Sequence, residues 1–227
     1  RKEIINSNHK LFLKKAKLKV IYPWGNISQL NNLKSKNKIK ENLLKDNRII
    51  IMYSGNIGLT HPLENLVQSS NYIKKIAKII IIGDGAKKER LRNIQMKLKS
   101  DNTTFLDPLN LNEFSLYINS ADLCIVCIDG PAAKYSLPSK FFTALSFSKP
   151  VLVIAPEDSE LSQIVNKYNC GFVLSQDYKF KEKLYKILEN LRNKPNLLKK
   201  LSLNASKASK KFNKKNSIKF VQKFMNL

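Results

Sequence analysis

Four short stretches of this chain, residues 48–53, 78–82, 123–128 and 150–154, are almost unbroken runs of Ile, Val, Leu and other apolar residues. A strand with one wet face alternates apolar and polar residues. A run that is apolar at consecutive positions is buried on both faces. Such a sheet needs covering on both sides, and helical spacing follows each run. Helices are expected at 62–75, 86–99, 111–119, 139–147, 159–168, 180–193 and 196–212, and two further strands at 103–106 and 171–174. Strands alternating with helices over short links give parallel βαβ units, and right-handed crossovers make the sheet doubly wound. The expectation is an α/β, Rossmann-like doubly wound parallel sheet with C-terminal helices.

The 227 residues are 43% hydrophobic, enough for one good-sized core. Residues 1–20 read as a basic segment, the remnant of an upstream domain or a linker, and 21–216 as the α/β domain. Residues 217–227, with Ile218, Phe220, Val221, Phe224 and Met225, read as a last helix that exposes apolar surface. The start at Arg1, without Met or a signal pattern, suggests a piece of a longer protein. There are 41 Lys and Arg against 17 Asp and Glu, a formal charge of +24. Two readings of that excess stay open: polyanionic partners, or AT-rich coding that raises Lys, Asn and Ile together. Three cysteines make no disulfide framework and fit a reducing compartment. No apolar run approaches the ~20 residues of a membrane span. Cys124 and Cys127 sit three apart in one strand, hence on opposite faces, and read as core thiols rather than metal ligands. His9 and His61 form no metal cluster, and no Ser-His-Asp or Cys-His triad is visible.

In doubly wound sheets ligands sit beyond the carboxyl ends of the strands, so the residues just after each strand are the informative ones. After the first come Gly55-Asn56-Ile57-Gly58, then Thr60 as a plausible helix cap, His61 and Pro62. The segment reads either as an ordinary turn or as a cradle for a diphosphate at a helix start. His61 there is a turn residue or a phosphate contact. Gly83-Asp84-Gly85 follows the second strand, but Lys88 stands where a dinucleotide fingerprint needs its third glycine. A long loop, 129–138, precedes a helix opening at Pro138-Ser139-Lys140. A lysine there opposes the helix dipole unless an anion visits, which makes Lys140 the foremost phosphate ligand. Glu157-Asp158-Ser159-Glu160 reads as a helix cap, with a sugar or ribose contact by Glu160 as the alternative. The lysine-rich stretch 199–215 reads as an amphipathic helix with a solvated basic face rather than a nucleic-acid arm.

Taken in order, several segments resemble the C-terminal domain of family 4 (group 1) GT-B glycosyltransferases, and within them the colanic-acid and O-antigen type enzymes of bacterial surface polysaccharides. They are Tyr53-Ser54-Gly55-Asn56-Ile57-Gly58, residues 81–91 around Gly83-Asp84-Gly85, and Phe105-Leu106-Asp107-Pro108. Ala121-Asp122-Leu123, residues 136–140, Lys149-Pro150-Val151-Leu152, Asp158-Ser159-Glu160 and Cys170-Gly171 complete the set. The resemblance implies two facing Rossmann-like domains, of which this chain would be the nucleotide-sugar-binding half and would need a missing N-terminal domain, on which the C-terminal helix of residues 217–227 would pack. It implies that Gly55, Asn56, Ile57, Gly58, Pro138, Ser139 and Lys140 hold the donor diphosphate, Lys140 also acting in catalysis. Gly83, Asp84, Gly85, Asp107, Pro108, Leu109 and Thr143 would form the base and ribose region, and Asp129 and Glu160 would reach the sugar.

The implied reaction is metal-independent, retaining transfer of a sugar from a nucleotide-sugar to a lipid-linked saccharide acceptor, with no cofactor. The expected place is cytoplasmic, with the basic character pointing to a peripheral seat on an anionic membrane where lipid-linked acceptors lie; no aromatic-basic stacking motif appears, so no nucleic-acid partner is expected. A non-catalytic or split-subunit protein that needs a partner acceptor domain is the alternative. The chain departs from its relatives at Thr143 and Tyr135, where many carry acids, and in the first loop, where their Arg and Lys are absent.

Overall fold

A computed structural model of the chain describes Pro23 and residues 48–134, 136–213 and 215–224. The expectations for residues 1–20 lie outside the described residues, as does Tyr135.

The four apolar runs are strands β1 (Ile49–Ser54), β2 (Ala77–Ile82), β4 (Leu123–Cys127) and β5 (Val151–Ile154). Two shorter strands complete the sheet, β3 (Thr103–Leu106) and β6 (Gly171–Leu174). The order is β3-β2-β1-β4-β5-β6, and every pairing is parallel. The chain winds outward from β1 through β2 to β3, crosses back to β4 beside β1, and winds outward again. The doubly wound expectation holds. The direction of winding reverses between β1 and β4, and there a cleft opens at the carboxyl ends of the strands.

Helices cover both faces, as two-sided burial requires. Ile51, Tyr53, Ile79, Ile81 and Ile125 pack beneath helices α1 (Glu64–Gln68), α3 (Lys88–Leu98) and α7 (Phe180–Asn193). Ile50, Met52, Cys124, Val126 and Val153 pack beneath α4 (Leu111–Ser120), α5 (Ser139–Ser146), α6 (Glu160–Tyr168) and α8 (Pro195–Ser209). Cys124 and Cys127 fall in opposite layers, as three-residue spacing on a strand demands. Burial pushes both thiols up to about 12, so neither is a ready nucleophile. A short helix α2 (Ser70–Ile73) follows α1, and a last helix α9 (Lys215–Phe224) follows α8. Phe212, between α8 and α9, packs edge-on against Phe141, Phe142 and Tyr168 and pins that end of the chain to α5 and α6.

One expected helix is different. The stretch 62–75 is two short helices, and α1 begins only at Glu64, with Leu63 as its N-cap and no side-chain cap. Thr60 therefore does not cap it, and the glycine loop does not run into a helix start. The reason is local: Leu63 is fully buried, its N–H donates to the carbonyl of His61, and this inserts a turn before the helix. In α9, Ile218 and Val221 are 54% and 46% exposed, in line with the expected apolar surface.

Candidate functional site

The cleft at the reversal point holds two adjoining cavities. The first, of about 390 Å³, is lined by Ser54 and Gly55 of the β1 end and by Ser139, Lys140 and Thr143 of α5, with Met52, Cys124, Phe114 and Ile118 among its apolar walls. The second, of about 380 Å³, lies toward β2 and β3 and is lined by Asn56, Gly83, Asp84, Pro108 and Leu109. Ser54, Gly55 and Phe114 border both. Residues from 54 to 143 thus meet in one groove, because each ends a neighbouring parallel strand or opens the helix after it.

Lys140 lines the first cavity and lies over Gly55, which borders both. Its ammonium donates to the Tyr53 hydroxyl at 2.7 Å and lies 4.5 Å from the centre of that ring. The hydroxyl in turn donates to the carbonyl of Asn56. The lysine stem crosses the bare backbone of Gly55, whose φ is +127°; a Cβ there would come within 2.3 Å of Lys140 Cε. Burial lowers the pKa of Lys140. Tyr53, Cys127 and His61 are its titratable neighbours; burial raises the pKa of the first two, so both keep their protons. A half-buried cation faces a neutral hydroxyl and a neutral thiol, an arrangement that favours an incoming anion.

The start of α5 has the same character. α4 caps itself with a reciprocal box between Asn110 and Glu113, and α6 with Ser159, which accepts from the N–H of Ser162. α5 begins at Pro138 with no capping side chain and no acid in its first turn. Its first backbone N–H groups, at Ser139 and Lys140, have no preceding helical carbonyls, and the positive end of the helix points to the cleft. The reading of 157–160 as a cap is borne out by Ser159.

The glycine loop is built by close approach. Gly83 has φ +135°, and a Cβ there would lie 2.1 Å from the carbonyl oxygen of Gly55. Gly85 has φ +147°, and a Cβ would meet Asn56 Oδ1 at 2.6 Å. These glycines let the β1 and β2 loops touch. Lys87 fixes the loop from below: its ammonium donates to the His61 carbonyl at 2.8 Å and pairs with Glu64 at 2.8 Å, largely out of water. The His61 ring meets Tyr53 edge-on, and its Nδ1 is buried without a partner among the described residues. Burial first, then the field of Lys140, lower its pKa and keep the imidazole neutral.

Of the residues expected in the site, Gly55, Asn56, Gly83, Asp84, Pro108, Leu109, Ser139, Lys140 and Thr143 line the cleft. The others are placed differently. Ile57 is fully buried, its N–H donates to Asp84 and its carbonyl accepts from Lys87, so neither group is available to a diphosphate. Gly58 packs against Asn56 and His61, and Gly85 against Asn56 and Ile57. Asp107 pairs at 2.7 Å with Lys88, which lies 3.8 Å from Asp84. That pairing lowers the Asp107 pKa and ties the β2 and β3 loops together. Asp129 accepts from the N–H of Gly130, and its own N–H donates to Thr60. Neither Asp129 nor Glu160 lines either cavity. Sequence reasoning missed Tyr53, Lys87 and Phe114. Tyr53 carried a signal, a polar-tipped aromatic at the end of an apolar strand; the other two carried none. Among the described residues, no three His, Cys, Asp or Glu side chains group as metal ligands.

Fold and site together define a doubly wound α/β domain with an anion-seeking cleft at its switch point. The chain belongs to the glycosyl transferases group 1 family, whose model matches residues 34–211. It is 29% identical over 126 residues to the colanic acid biosynthesis glycosyl transferase WcaI of Escherichia coli K12, a match covering 55% of this chain and 31% of that protein. A glycosyltransferase of Rickettsia africae ESF-5 shares the fold, with a TM-score of 0.75 at 14% identity over 99% of this chain and 61% of that one. So does Anabaena HepE, solved in complex with UDP-glucose, with a TM-score of 0.70 at 14% identity over 84% of this chain and 52% of that one. The match thus takes in about a third of the curated relative's length and half to three fifths of the solved chains.

Proposed function

We propose that this chain is the donor-binding half of a glycosyltransferase that moves a sugar from a nucleoside diphosphate to a saccharide acceptor. The observation that carries this reading is Lys140: a cation in the first cavity, held by neutral partners over a bare glycine at an uncapped helix start. The diphosphate sits across Gly55, Ser139 and Lys140. The base lies in the cavity of Gly83, Pro108 and Leu109, with Phe114 between base and diphosphate. As the bond from sugar to diphosphate breaks, negative charge grows on the leaving phosphate. A fixed ammonium and helix dipole stabilise that charge without having to reorganise. The family relationship and the UDP-glucose bound by a protein of the same fold support the donor class. We assign retention at the sugar carbon, independence of metal, and a lipid-linked acceptor in surface-polysaccharide synthesis as finer parts of the same proposal.

The test is a thermal-shift and calorimetric screen against UDP, GDP, ADP and CMP and their sugars, with inorganic diphosphate as the charge control. A donor at ~100 times its dissociation constant adds ~2.7 kcal/mol of stability, a visible rise in melting temperature. One nucleotide family should give that rise, and Lys140→Ala should weaken it at least tenfold. Equal shifts with inorganic diphosphate, or undiminished affinity in Lys140→Ala, would refute the reading.

A further inference from the structure

Away from the cleft, a cavity of about 320 Å³ opens between α1 and the passage from β6 into α7. It shares no lining residue with the two cleft cavities. Asn65 and Gln68 come from α1, and Asp177, Tyr178, Lys181 and Glu182 from the other side. The hydrogen-bonding groups here are only partly used. Asp177 pairs with Lys183 and accepts from the N–H of Lys179. Asn65 donates to Gln176, whose own amide donates to the carbonyl of Pro62 at 3.3 Å. Among the described residues, the side chains of Gln68 and Glu182 have no hydrogen-bond or ion-pair partner. Tyrosine rings continue the surface. Tyr178 is 87% exposed. Beyond Lys181, whose ammonium lies 4.9 Å from the centre of the Tyr72 ring, Tyr72 is 47% exposed and tilts against Tyr185 at 5.2 Å. Open rings beside unused polar groups mark a binding face.

Charge narrows the ligand. In a chain of formal charge +24, this lining has two carboxylates, Asp177 and Glu182, and one ammonium, Lys181. The cations around it are engaged: Lys183 with Asp177, Lys179 over the Tyr178 ring and Lys181 over Tyr72. A phosphate brought here meets two carboxylates, so the groove does not suit a polyanion. Amides, carboxylates and open rings are satisfied together by a neutral ligand with hydroxyl groups around its rim and C–H groups on its faces. A sugar ring is such a ligand. Its hydroxyls donate to carboxylate and amide oxygens and accept from amide N–H groups, while its C–H face covers a tyrosine. The volume, at the small end of ligand pockets, suits a short stretch of a sugar chain. We propose that this groove is a second, saccharide-binding site, which holds a neutral stretch of a glycan against Tyr178 and Tyr72, apart from the donor cleft. Gln176 joins the groove to Pro62 at the end of the glycine loop, so a chain held there runs along the outer flank of that loop. The site rests on the proposed function for the origin of the glycan, the saccharide that the reaction extends, and on its own residues for its chemistry.

The experiment is a printed array of neutral and N-acetylated oligosaccharides probed with the labelled chain, followed by calorimetric titration of the strongest ligand on that array. Tyr178→Ala should weaken its binding about tenfold or more, and so should Gln68→Ala and Glu182→Ala combined. All three positions are exposed, so the variants should melt at the wild-type temperature. Tyr178→Phe keeps the ring and should restore binding to within about twofold of wild type. Raising salt from about 0.1 M to about 1 M should leave the affinity unchanged, because a neutral ligand is not screened. Lys140→Ala should leave it unchanged too, and the donor thermal shift should be the same in Tyr178→Ala as in the wild type. Saccharide binding without any donor shift would refute the donor reading and support this site. No saccharide bound on the array, an affinity indifferent to these variants, or binding abolished by salt overturns the proposal.

Discussion

Lys140 does its work through its surroundings. An exposed lysine is well solvated and gains little from a visiting phosphate. Here burial has removed part of that solvation, and the Tyr53 hydroxyl returns one hydrogen bond without neutralising the charge. The shift has a sign that can be tested. The Lys140 pKa is lowered from 10.5, so the free site loses its ammonium at a lower pH than an exposed lysine would. A diphosphate binds the charged form. Donor affinity is therefore full below that lowered pKa and falls as pH rises through it. Calorimetric titration across the alkaline range should show the loss, and Lys140→Arg should move it out of reach. Relative to the unfolded chain, the folded state without donor disfavours the ammonium, so this lysine's cost to folding is present below its folded pKa and eases as pH climbs toward 10.5. None of this was legible at position 140 alone. The helix start and its basic residue were; the tyrosine 87 positions earlier that holds the ammonium was not.

At the scale of elements, the glycine loop is shaped by what lies beneath it. The short α1 offers no usable helix start, and the loop depends instead on Lys87 at the head of α3, which grips both the His61 carbonyl and Glu64. Removing one partner from a pair this far from water leaves a charge without compensation. Lys87→Met should lose about 3 kcal/mol of stability in urea unfolding. Donor binding should weaken as well, because the loop loses its anchor, even though Lys87 lines neither cavity. A loss confined to stability, with donor affinity unchanged, would show that the loop holds its shape without the lysine. The sequence displayed Lys87 as one basic residue among many. Its role needs Glu64 and His61, more than twenty residues earlier, to be folded against it.

At the scale of the molecule, the cleft is open on the side away from the sheet. Leu59, at the tip of the glycine loop, and Leu111, at the cleft rim, are 79% and 69% exposed. A donor lying in this groove keeps one flank bare, and the relatives of this chain are substantially longer than it is. We expect the chain alone to bind donor but not to transfer its sugar. Adding the acceptor-binding domain, on the same polypeptide or as a separate one, should bring transfer and shield Leu59 and Leu111, read by solvent labelling of cysteines placed there. Transfer by the chain alone would refute that division of labour. What the sequence by itself determined is the sheet. Short apolar runs buried on both faces, alternating with helical stretches over short links, point to a covered parallel sheet, and such sheets take ligands at the strand ends, where Gly55, Gly83 and Ser139-Lys140 lie. What only the tertiary structure decided is which strand-end residues line the cleft and which are taken up by contacts between the loops. Ile57, Gly85 and Asp107, expected as ligands, make hydrogen bonds, packing contacts or an ion pair with the neighbouring loops, while Tyr53 and Lys87 hold Lys140 and the His61 carbonyl. The physical reason is range. Periodicity and turn chemistry act over a few neighbouring residues, whereas the position of one ammonium depends on contacts made across the sheet, between residues the chain brings together only when it folds.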